Sequence, residues 1–201
     1  MTAQPAIQYT PQEYLAIERR NEFKSEYWQG DMFAMAGASE AHNLIIVNAV
    51  RELSLQLKGK PCRVYPSDMR VRIPRTPSYK YPDAIVVCGK PEFEDDKRDI
   101  LLNPTVIVEV LSPSTELYDR GAKFREYRTI DSLQEYLLIS QDKALIERYV
   151  RQEQTRFWTL SEAAGLDESL ELHAVACRLD LVEVYEHVEF PETGEERPLS
   201  A

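Results

Sequence analysis

A carboxylate interrupts the most apolar stretch of the sequence. Glu109 lies within residues 105–111, TVIVEVL, and is flanked on both sides by valine. An unpaired carboxylate is costly to bury, and strand alternation places Glu109 on the same face as Ile107. A compensating group must therefore lie on that face. It is either an arginine such as Arg70 or Arg72, in a structural ion pair, or a cation that belongs to a functional site.

Asp83 is the second candidate because it opens the preceding apolar run, residues 84–87, directly after Pro82. If the two runs pair as antiparallel neighbours, Asp83 falls opposite Val110, within one position of Glu109. Two converging carboxylates repel each other and raise one pKa unless a cation lies between them. Carboxylates with a strand carbonyl, here that of Val110, suit Mg²⁺ or Mn²⁺. Taken alone, Asp83 could equally hold a turn at the strand entry.

Lys123 follows these two residues on a predicted helix over residues 119–129, beyond the turn signal SPS at 112–114. From there it can project back over the carboxyl end of the Glu109 strand. Asp119, Lys123 and Tyr127 share one stripe of this helix. The alternative is a solvated lysine that pairs with Asp119 at i, i+4. For Tyr127, core packing is favoured over a role as a phosphate donor.

Four further polar residues each have two interpretations. His42 either faces the site or is a satisfied partner at the start of a buried helix face, and Glu26 is either a site residue or an ordinary polar position on a hairpin arm. For Asp68, a turn at a sheet edge is favoured over a site role. Ser112 is expected to cap a turn, because no nucleophile-elbow motif surrounds it.

Three elements precede the apolar strands. A capping box formed by Thr10 and Glu13, with Pro11 at the first helical position, predicts a helix to about Arg20. The segment KSEYWQGDMFAM predicts a hairpin whose turn contains Gly30. Apolar residues at helical spacing predict a second helix over residues 39–57.

Short strands follow these helices in the prediction. They are CRVY at 62–65, DMRVRI at 68–73, the runs at 84–87 and 105–111, EYLLIS at 135–140, and a hairpin built from ALIERYVR and QTRFWTL. The Pro-punctuated segment PRTPSYKYP and residues 89–104 are expected to be loops. Buried strands that flank a helix form a right-handed crossover. The predicted fold class is therefore α/β (α+β), a mixed sheet flanked by helices.

Composition favours a soluble domain, residues 1–190, with an acidic tail at 191–201. The 201 residues carry a net charge of −10, which at first argues against binding a phosphate backbone. However, residues 161–201 hold 2 basic and 11 acidic side chains, whereas residues 51–80 hold 8 basic and 2 acidic ones. We therefore expect a locally positive approach to the site.

Three further expectations concern the protein's environment. The spacing of the three cysteines predicts neither a zinc site nor, still less, a disulfide framework. No leader-like segment or span of about 20 apolar residues is present, which predicts a cytoplasmic protein without a membrane partner. Exposed apolar surface on the added hairpins could support a homodimer.

The ordered motifs resemble the PD-(D/E)XK nuclease superfamily. Pro82 and Asp83 match its first half, and Glu109 begins the second, although Leu111 stands where the superfamily pattern has lysine. The bacterial Uma-two branch, described as restriction endonucleases, supplies this lysine from the following helix. The strings YPDAIVV, VIVEVLSPST, DRGAKFREY, EYLLI, SEYWQGDMFAM and SEAHN resemble that branch, over roughly residues 10–185.

The resemblance implies a restriction-endonuclease-like fold and Mg²⁺- or Mn²⁺-dependent hydrolysis of nucleic acid, with DNA as the expected substrate. Asp83 and Glu109 would bind the metal, and Lys123 would orient or help to deprotonate the attacking water. Glu26 and His42 match upstream positions that could contact a second metal, a water or a phosphate. Two alternatives remain: a nucleic-acid-binding module with weak or no turnover, and a structural protein whose carboxylates only form internal ion pairs.

Overall fold

The computed structural model describes residues 7–152 and 157–191. In this part of the chain, thirteen strands form three sheets. The strands are β1 (Ser25–Trp28), β2 (Asp31–Ala34), β3 (Cys62–Pro66), β4 (Arg70–Ile73), β5 (Ser78–Lys80), β6 (Ala84–Cys88), β7 (Ile100–Leu101), β8 (Val106–Leu111), β9 (Glu135–Ser140), β10 (Leu145–Arg151), β11 (Trp158–Ala164), β12 (Ser169–Leu172) and β13 (Cys177–Asp180). The helices are α1 (Pro11–Glu18), α2 (Glu40–Gln56), α3 (Glu116–Tyr118), α4 (Phe124–Tyr127) and α5 (Leu181–Val184), with a π-helical turn at Asp119–Lys123.

The main sheet has six strands in the order β11-β10-β9-β8-β6-β3. β8 and β9 are parallel, and the other neighbours are antiparallel. The predicted strand, helix, strand unit is confirmed. The hairpin that extends the sheet is confirmed as well, with its second strand at Trp158–Ala164, whereas residues 154–156 of the predicted strand lie outside the described residues. Side chains of β8 alternate between two cores: Val106, Val108 and Val110 pack against α2, while Ile107 and Leu111 pack beneath Tyr127. Both faces of this strand are buried because helices cover both faces of the sheet.

A second sheet has the order β2-β1-β5-β4-β7 and contains two strands that lie in segments predicted to be loops. β5 forms between two prolines because Tyr79 pairs with Tyr27 and packs its ring against Tyr14. β7 forms because Ile100 and Leu101 are fully buried and pair in parallel with β4. In both cases tertiary burial overrode the local turn signals.

The predicted first two helices and the hairpin are confirmed. Thr10 and Glu13 form the capping box of α1, and Ser39 accepts a hydrogen bond from the backbone of His42 at the start of α2. In the β1–β2 turn, φ is 47° at Gln29 and 105° at Gly30, the left-handed conformations that a tight hairpin turn requires.

The helix after β8 is less regular than predicted. Its first and last turns are α3 and α4, and the five residues Asp119–Lys123 between them form the π-helical turn. The hydroxyl of Tyr136 donates to the backbone carbonyl of Asp119 at 3.1 Å, within this turn. π turns are frequent at functional sites, and this one contains the candidate residue Lys123.

No disulfide framework was predicted, yet two of the three cysteines are bonded to each other. Cys62 and Cys88 form a disulfide bond. They face each other because β3 and β6 pair antiparallel, with Cys62 at the first position of one strand and Cys88 at the last position of the other. Spacing along the sequence carries no sign of this register.

The C-terminal elements cover the outer side of α2. β12, β13 and α5 contribute Leu172, Leu179 and Val184 to the core that α2 packs against. The predicted acidic tail at 191–201 lies almost wholly outside the described residues, and its boundary with a domain at 1–190 stays a prediction. No helix in the described ranges is both long and apolar enough to cross a bilayer.

Candidate active site

The candidate site lies where β6 and β8 separate. Their pairing ends at Ala84 opposite Val108, so the next pair along this register would be Asp83 and Glu109. The two carboxylates converge as predicted, but the register differs by one position, because Asp83 falls opposite Glu109 and not opposite Val110. Beyond this point the side chain of Asp83 replaces the missing strand, because the backbone N–H of Val110 donates to its Oδ2 at 2.7 Å.

The backbone of Val110 is oriented toward the same gap. In an extended strand the N–H and C=O of one residue point to the same edge, and the N–H of Val110 points to Asp83. The carbonyl of Val110 therefore also faces the side on which β6 has ended. A carboxylate and a strand carbonyl, both oxygen ligands, border the gap.

Glu109 is 3 % exposed and is held by two donors. The Nζ of Lys123 lies 2.8 Å from its Oε1, and the hydroxyl of Tyr127 donates to the same oxygen at 3.0 Å. Both contacts use Oε1, which leaves Oε2 for another ligand. Burial raises the pKa of Glu109 well above its ordinary value, against the attraction of Lys123, and the nearby Asp83 adds to the increase. Arg70 and Arg72, its alternative partners, instead pair with Asp99 and Glu94.

Lys123 is surrounded by carboxylates. Its Nζ lies 2.8 Å from Glu109, 3.4 Å from Asp119 and 3.5 Å from Glu26. Burial alone would lower the pKa of Lys123, but these carboxylates, with Glu109 first, raise it well above its ordinary value. The alternative interpretation paired Lys123 with Asp119 alone. That ion pair is present, but it is one of three contacts that Lys123 makes with carboxylates. Lys123 is a buried cation, and the predicted stripe with Asp119 and Tyr127 faces inward.

Glu26 reaches this cluster from the hairpin of β1 and β2. It is 8 % exposed, and its Oε1 accepts a hydrogen bond from the backbone N–H of Tyr81 at 3.2 Å. Its Oε2 lies 3.5 Å from the Nζ of Lys80, which in turn donates to the hydroxyl of Tyr118 at 2.6 Å. Glu26 is thus not an ordinary surface position of a hairpin arm.

Lys80 is the charged residue that the sequence interpretation missed. Its side chain is fully buried, although the segment around it was predicted to be a loop. Extending the register of Tyr27 with Tyr79 by one position places Glu26 opposite Lys80. The signal in the sequence is a lysine between two tyrosines, immediately before Pro82 and Asp83.

His42 lies at the opposite side of Asp83. Its Nε2 is 3.3 Å from Oδ1 of Asp83, and its position in the first turn of α2 is fixed by the Ser39 cap.

The other polar residues that the sequence singled out have the structural positions that were favoured over a role in the site. Asp68 is 80 % exposed and pairs with Lys24, and the hydroxyl of Ser112 contacts that of Thr115 in the turn after β8. Tyr127 is fully buried, as favoured, and also contacts Glu109.

One cavity of about 680 Å³ is lined by Glu26, His42, Asp83, Glu109 and Lys123. Its walls carry five carboxylates and one lysine; the carboxylates are Glu26, Asp83, Glu109, Asp119 and Glu126. The expected positive approach is not found there, because Arg51, Arg70 and Arg72 of the basic segment are used in salt bridges elsewhere. A phosphodiester anion would be repelled by such a cavity unless a cation were bound in it.

The donor set fits a hard divalent cation. Asp83, Glu109 and the carbonyl of Val110 offer oxygen ligands, which Mg²⁺ and Mn²⁺ prefer. Among the described residues, no three His, Cys, Asp or Glu side chains are gathered as a ready-made ligand group. Ligation by Asp83 and Glu109 would therefore use the strand carbonyl and water to complete the coordination.

Comparison with known proteins agrees with the fold. Residues 11–181 match the model of the Uma2 family, which is described as "Putative restriction endonuclease". Two uncharacterized proteins of Synechocystis sp. are similar along most of their length. The protein sll1609 is 40 % identical over 162 residues, which cover 81 % of this chain and 91 % of that protein. The protein slr1290 is 34 % identical over 186 residues, which cover 92 % and 96 %.

A crystal structure of a protein from Anabaena variabilis, described as a "putative nuclease belonging to DUF820", superposes with a TM-score of 0.72. The match covers 88 % of this chain and 97 % of that one at 17 % identity, which identifies the fold. This chain therefore shares the mixed sheet flanked by helices with that protein. The chain belongs to the Uma2 family.

Proposed function

We propose that this protein is a metal-dependent endonuclease that hydrolyses phosphodiester bonds of DNA. The observation that carries this proposal is the arrangement of Lys123 against Glu109 beside Asp83, in a cavity with five carboxylates and one lysine. Structural ion pairs normally balance their charges, whereas this cavity has an excess of negative charge. Perturbed titratable groups that line a cleft are a sign of a functional site.

Asp83 and Glu109 would hold the metal ion together with the carbonyl of Val110. A bound Mg²⁺ or Mn²⁺ would lower the pKa of its water and neutralise charge on the phosphoryl oxygens. Lys123 would act as a cation that stabilises the negative charge of the transition state and orients the attacking water. Its carboxylate neighbours keep it protonated, so it is a poor candidate for the general base.

Glu26 and His42 would act one step away from the metal. Glu26 lies 3.5 Å from the Nζ of Lys123 and would position it. His42 lies 3.3 Å from Asp83 and would hold that carboxylate in place or contact a phosphate oxygen. We therefore assign the metal to Asp83, Glu109 and Val110, and supporting roles to Glu26 and His42.

The test is cleavage of a supercoiled plasmid by purified protein with Mg²⁺ or Mn²⁺, compared with Glu109→Ala and Lys123→Ala. We expect nicked or linear DNA with the wild type only, and no product in EDTA. Lys60→Ala, a change at an exposed lysine that contacts Ala176, is the matched control and should cut normally. Salt-sensitive binding without product would identify a binding module instead. Equal cleavage by all variants would exclude catalysis at this site.

A further inference from the structure

One wall of the active-site cavity is apolar and faces solvent. Trp28, Phe33 and Met35 line the cavity and are 40 %, 50 % and 37 % exposed. The outward face of an antiparallel hairpin is ordinarily polar. Exposed apolar side chains that lie together beside a charged site indicate a surface that binds a ligand or a macromolecular partner.

The hairpin register places these side chains around Glu26. Glu26 pairs with Phe33, and Trp28 lies two residues after Glu26 on the same face. Met35 continues this face two residues beyond Phe33, and its backbone N–H donates to the carbonyl of Lys24. The opposite face, which carries Tyr27, packs into the core with Tyr14. The hairpin therefore presents one buried carboxylate to Lys123 and, on either side of it, apolar groups to the cavity.

The other side of the cavity adds a further ring. Tyr118 lines it, is 36 % exposed, and is held by the hydrogen bond from Lys80. The cavity volume of about 680 Å³ falls in the range of ligand-binding sites. It therefore combines flat apolar walls with the cluster proposed to act on a phosphate group.

We propose that Trp28, Phe33 and Met35 bind unpaired nucleobases next to the scissile phosphate, so that the preferred substrate is single-stranded or locally unpaired nucleic acid. This inference rests on the proposed function and specifies its substrate. Bases stack on aromatic side chains only when they are free of the duplex. Duplex DNA presents its phosphates and keeps its bases stacked inside.

A nucleobase fits this surface better than a second copy of the chain does. Three partly exposed side chains offer on the order of 300 Å², whereas a stable dimer buries about 800 Å² per partner. The wall is also part of a concave cavity with a charged floor. An unpaired nucleotide, with one apolar face and one anionic group, complements both parts.

The experiment measures base stacking without requiring cleavage. The chain has two tryptophans, and Trp158→Phe leaves Trp28 as the only one, whose fluorescence is excited selectively at wavelengths that tyrosine does not absorb. A short oligothymidine strand is added in EDTA and, separately, with Mg²⁺. We expect quenching of Trp28 fluorescence under at least the Mg²⁺ condition, and weaker quenching by the same strand after it is annealed to its complement. No quenching under either condition would overturn the inference.

Affinity for a fluorescein-labelled single strand, measured by anisotropy, provides the second readout. Trp28→Ala and Phe33→Ala should each weaken binding by about five- to a hundredfold, the effect of losing one stacked base. Leu160→Ala is the matched control, because Leu160 on β11 is also 50 % exposed but lies outside the cavity lining. Equal affinity for single strand and duplex, or a dimer that Trp28→Ala dissociates without change in binding, would contradict the inference. An RNA strand of the same sequence separates DNA from RNA preference.

The two proposals fail in different ways. If Trp28 is quenched and no substrate is cut, the substrate inference holds and hydrolysis is wrong. If plasmid DNA is cut with dependence on Lys123 while Trp28→Ala changes neither the affinity for single strands nor their cleavage, hydrolysis holds and the substrate inference is wrong.

Discussion

A partly exposed arginine cluster and the buried lysine cluster of the site differ in their balance of charge. In the arginine cluster, Arg19 and Arg70 meet Asp95 and Asp99. Arg19 binds both oxygens of Asp99 at 2.9 and 2.8 Å, and Arg70 also contacts Asp99. In the lysine cluster, Lys123 meets Glu26, Glu109 and Asp119. The first cluster has two cations for two carboxylates, and the second has one cation for three, with Lys80 compensating at its edge.

The pKa values move in opposite directions as a result. Although burial alone would raise it, the pKa of Asp99 is lowered, because Arg19 and Arg70 stabilise its charged form. The pKa of Glu109 is raised by burial that Lys123 does not offset. A balanced cluster holds elements together, whereas an unbalanced one retains the capacity to bind a cation. The difference explains why only the second cluster is expected to have chemical activity.

The largest expected effect is the loss of activity when the cation of the lysine cluster is removed. Lys123→Met should lower the cleavage rate by about 10²–10³-fold, the typical cost of removing one group that stabilises the transition state. Arg19→Met, in the arginine cluster, should leave the rate per folded molecule unchanged. Single-turnover cleavage below the melting temperature of each variant measures this. A rate lowered equally by both changes would remove the distinction between the clusters.

The next effect is on stability, in the arginine cluster. Arg70 is 4 % exposed, and Arg70→Met should lower the free energy of unfolding, since Asp99 loses one of its two partners. Because Asp99 keeps both hydrogen bonds to Arg19, the loss should stay within about 1.5–3 kcal/mol, the range for one hydrogen bond to a charged group. Urea denaturation followed by circular dichroism measures the change, with Arg72→Met, a more exposed arginine on the same strand, as the control. A loss below that of Arg72→Met would show that the cluster contributes no more than a surface pair.

Binding of a metal ion at the lysine cluster should stabilise the folded protein. At a Mn²⁺ concentration about 100 times the dissociation constant, the free energy of unfolding should rise by about 2.7 kcal/mol. Thermal denaturation with and without Mn²⁺ detects this as a higher melting temperature. The increase should disappear in Asp83→Asn and persist in Asp95→Asn. An increase that survives Asp83→Asn would locate the metal elsewhere.

The smallest effect is an opposite dependence of stability on pH. The pKa of Asp99 is lower in the folded state, so its contribution is present above about pH 4, the value for an unfolded aspartate, and is lost as the pH falls through the folded value. The pKa of Glu109 is higher in the folded state, so its contribution is present at low pH and is lost as the pH rises from about 4 toward the folded value.

Urea denaturation of Asp99→Asn and Glu109→Gln in EDTA at several pH values separates these two contributions. Relative to wild type, Asp99→Asn should lose stability as the pH rises toward about 4 and stay constant above it, whereas Glu109→Gln should gain stability as the pH rises above about 4. Parallel curves for the two variants would contradict the assigned directions.

The sequence was sufficient for the residues whose signal is local. Glu109 interrupts an apolar strand, Asp83 opens the neighbouring strand, and Lys123 follows at a distance that one helix can span. Their faces and chain order therefore predict that they meet. The crossover strand and the capping box of α1 have equally local signals.

The features that the sequence did not predict depend on strand pairing between segments that are far apart in the chain. Lys80 and β5 are defined by Tyr79 packing against residues more than fifty positions earlier, and the disulfide by the register of β3 with β6. Charge balance was also misjudged, because the basic residues counted before Asp83 have carboxylate partners that are distant in sequence, such as Asp99 and Glu186. Counting charge along the chain could not locate these partners.

The most direct test of the central claim is a crystal structure of the protein soaked in Mn²⁺, with anomalous diffraction data. We predict a peak within coordination distance of Asp83, Glu109 and the carbonyl of Val110, with Lys123 still beside Glu109. No peak there at a concentration that supports cleavage, or a peak bound only by other residues, would contradict the claim that this unbalanced cluster is a metal-dependent nuclease site.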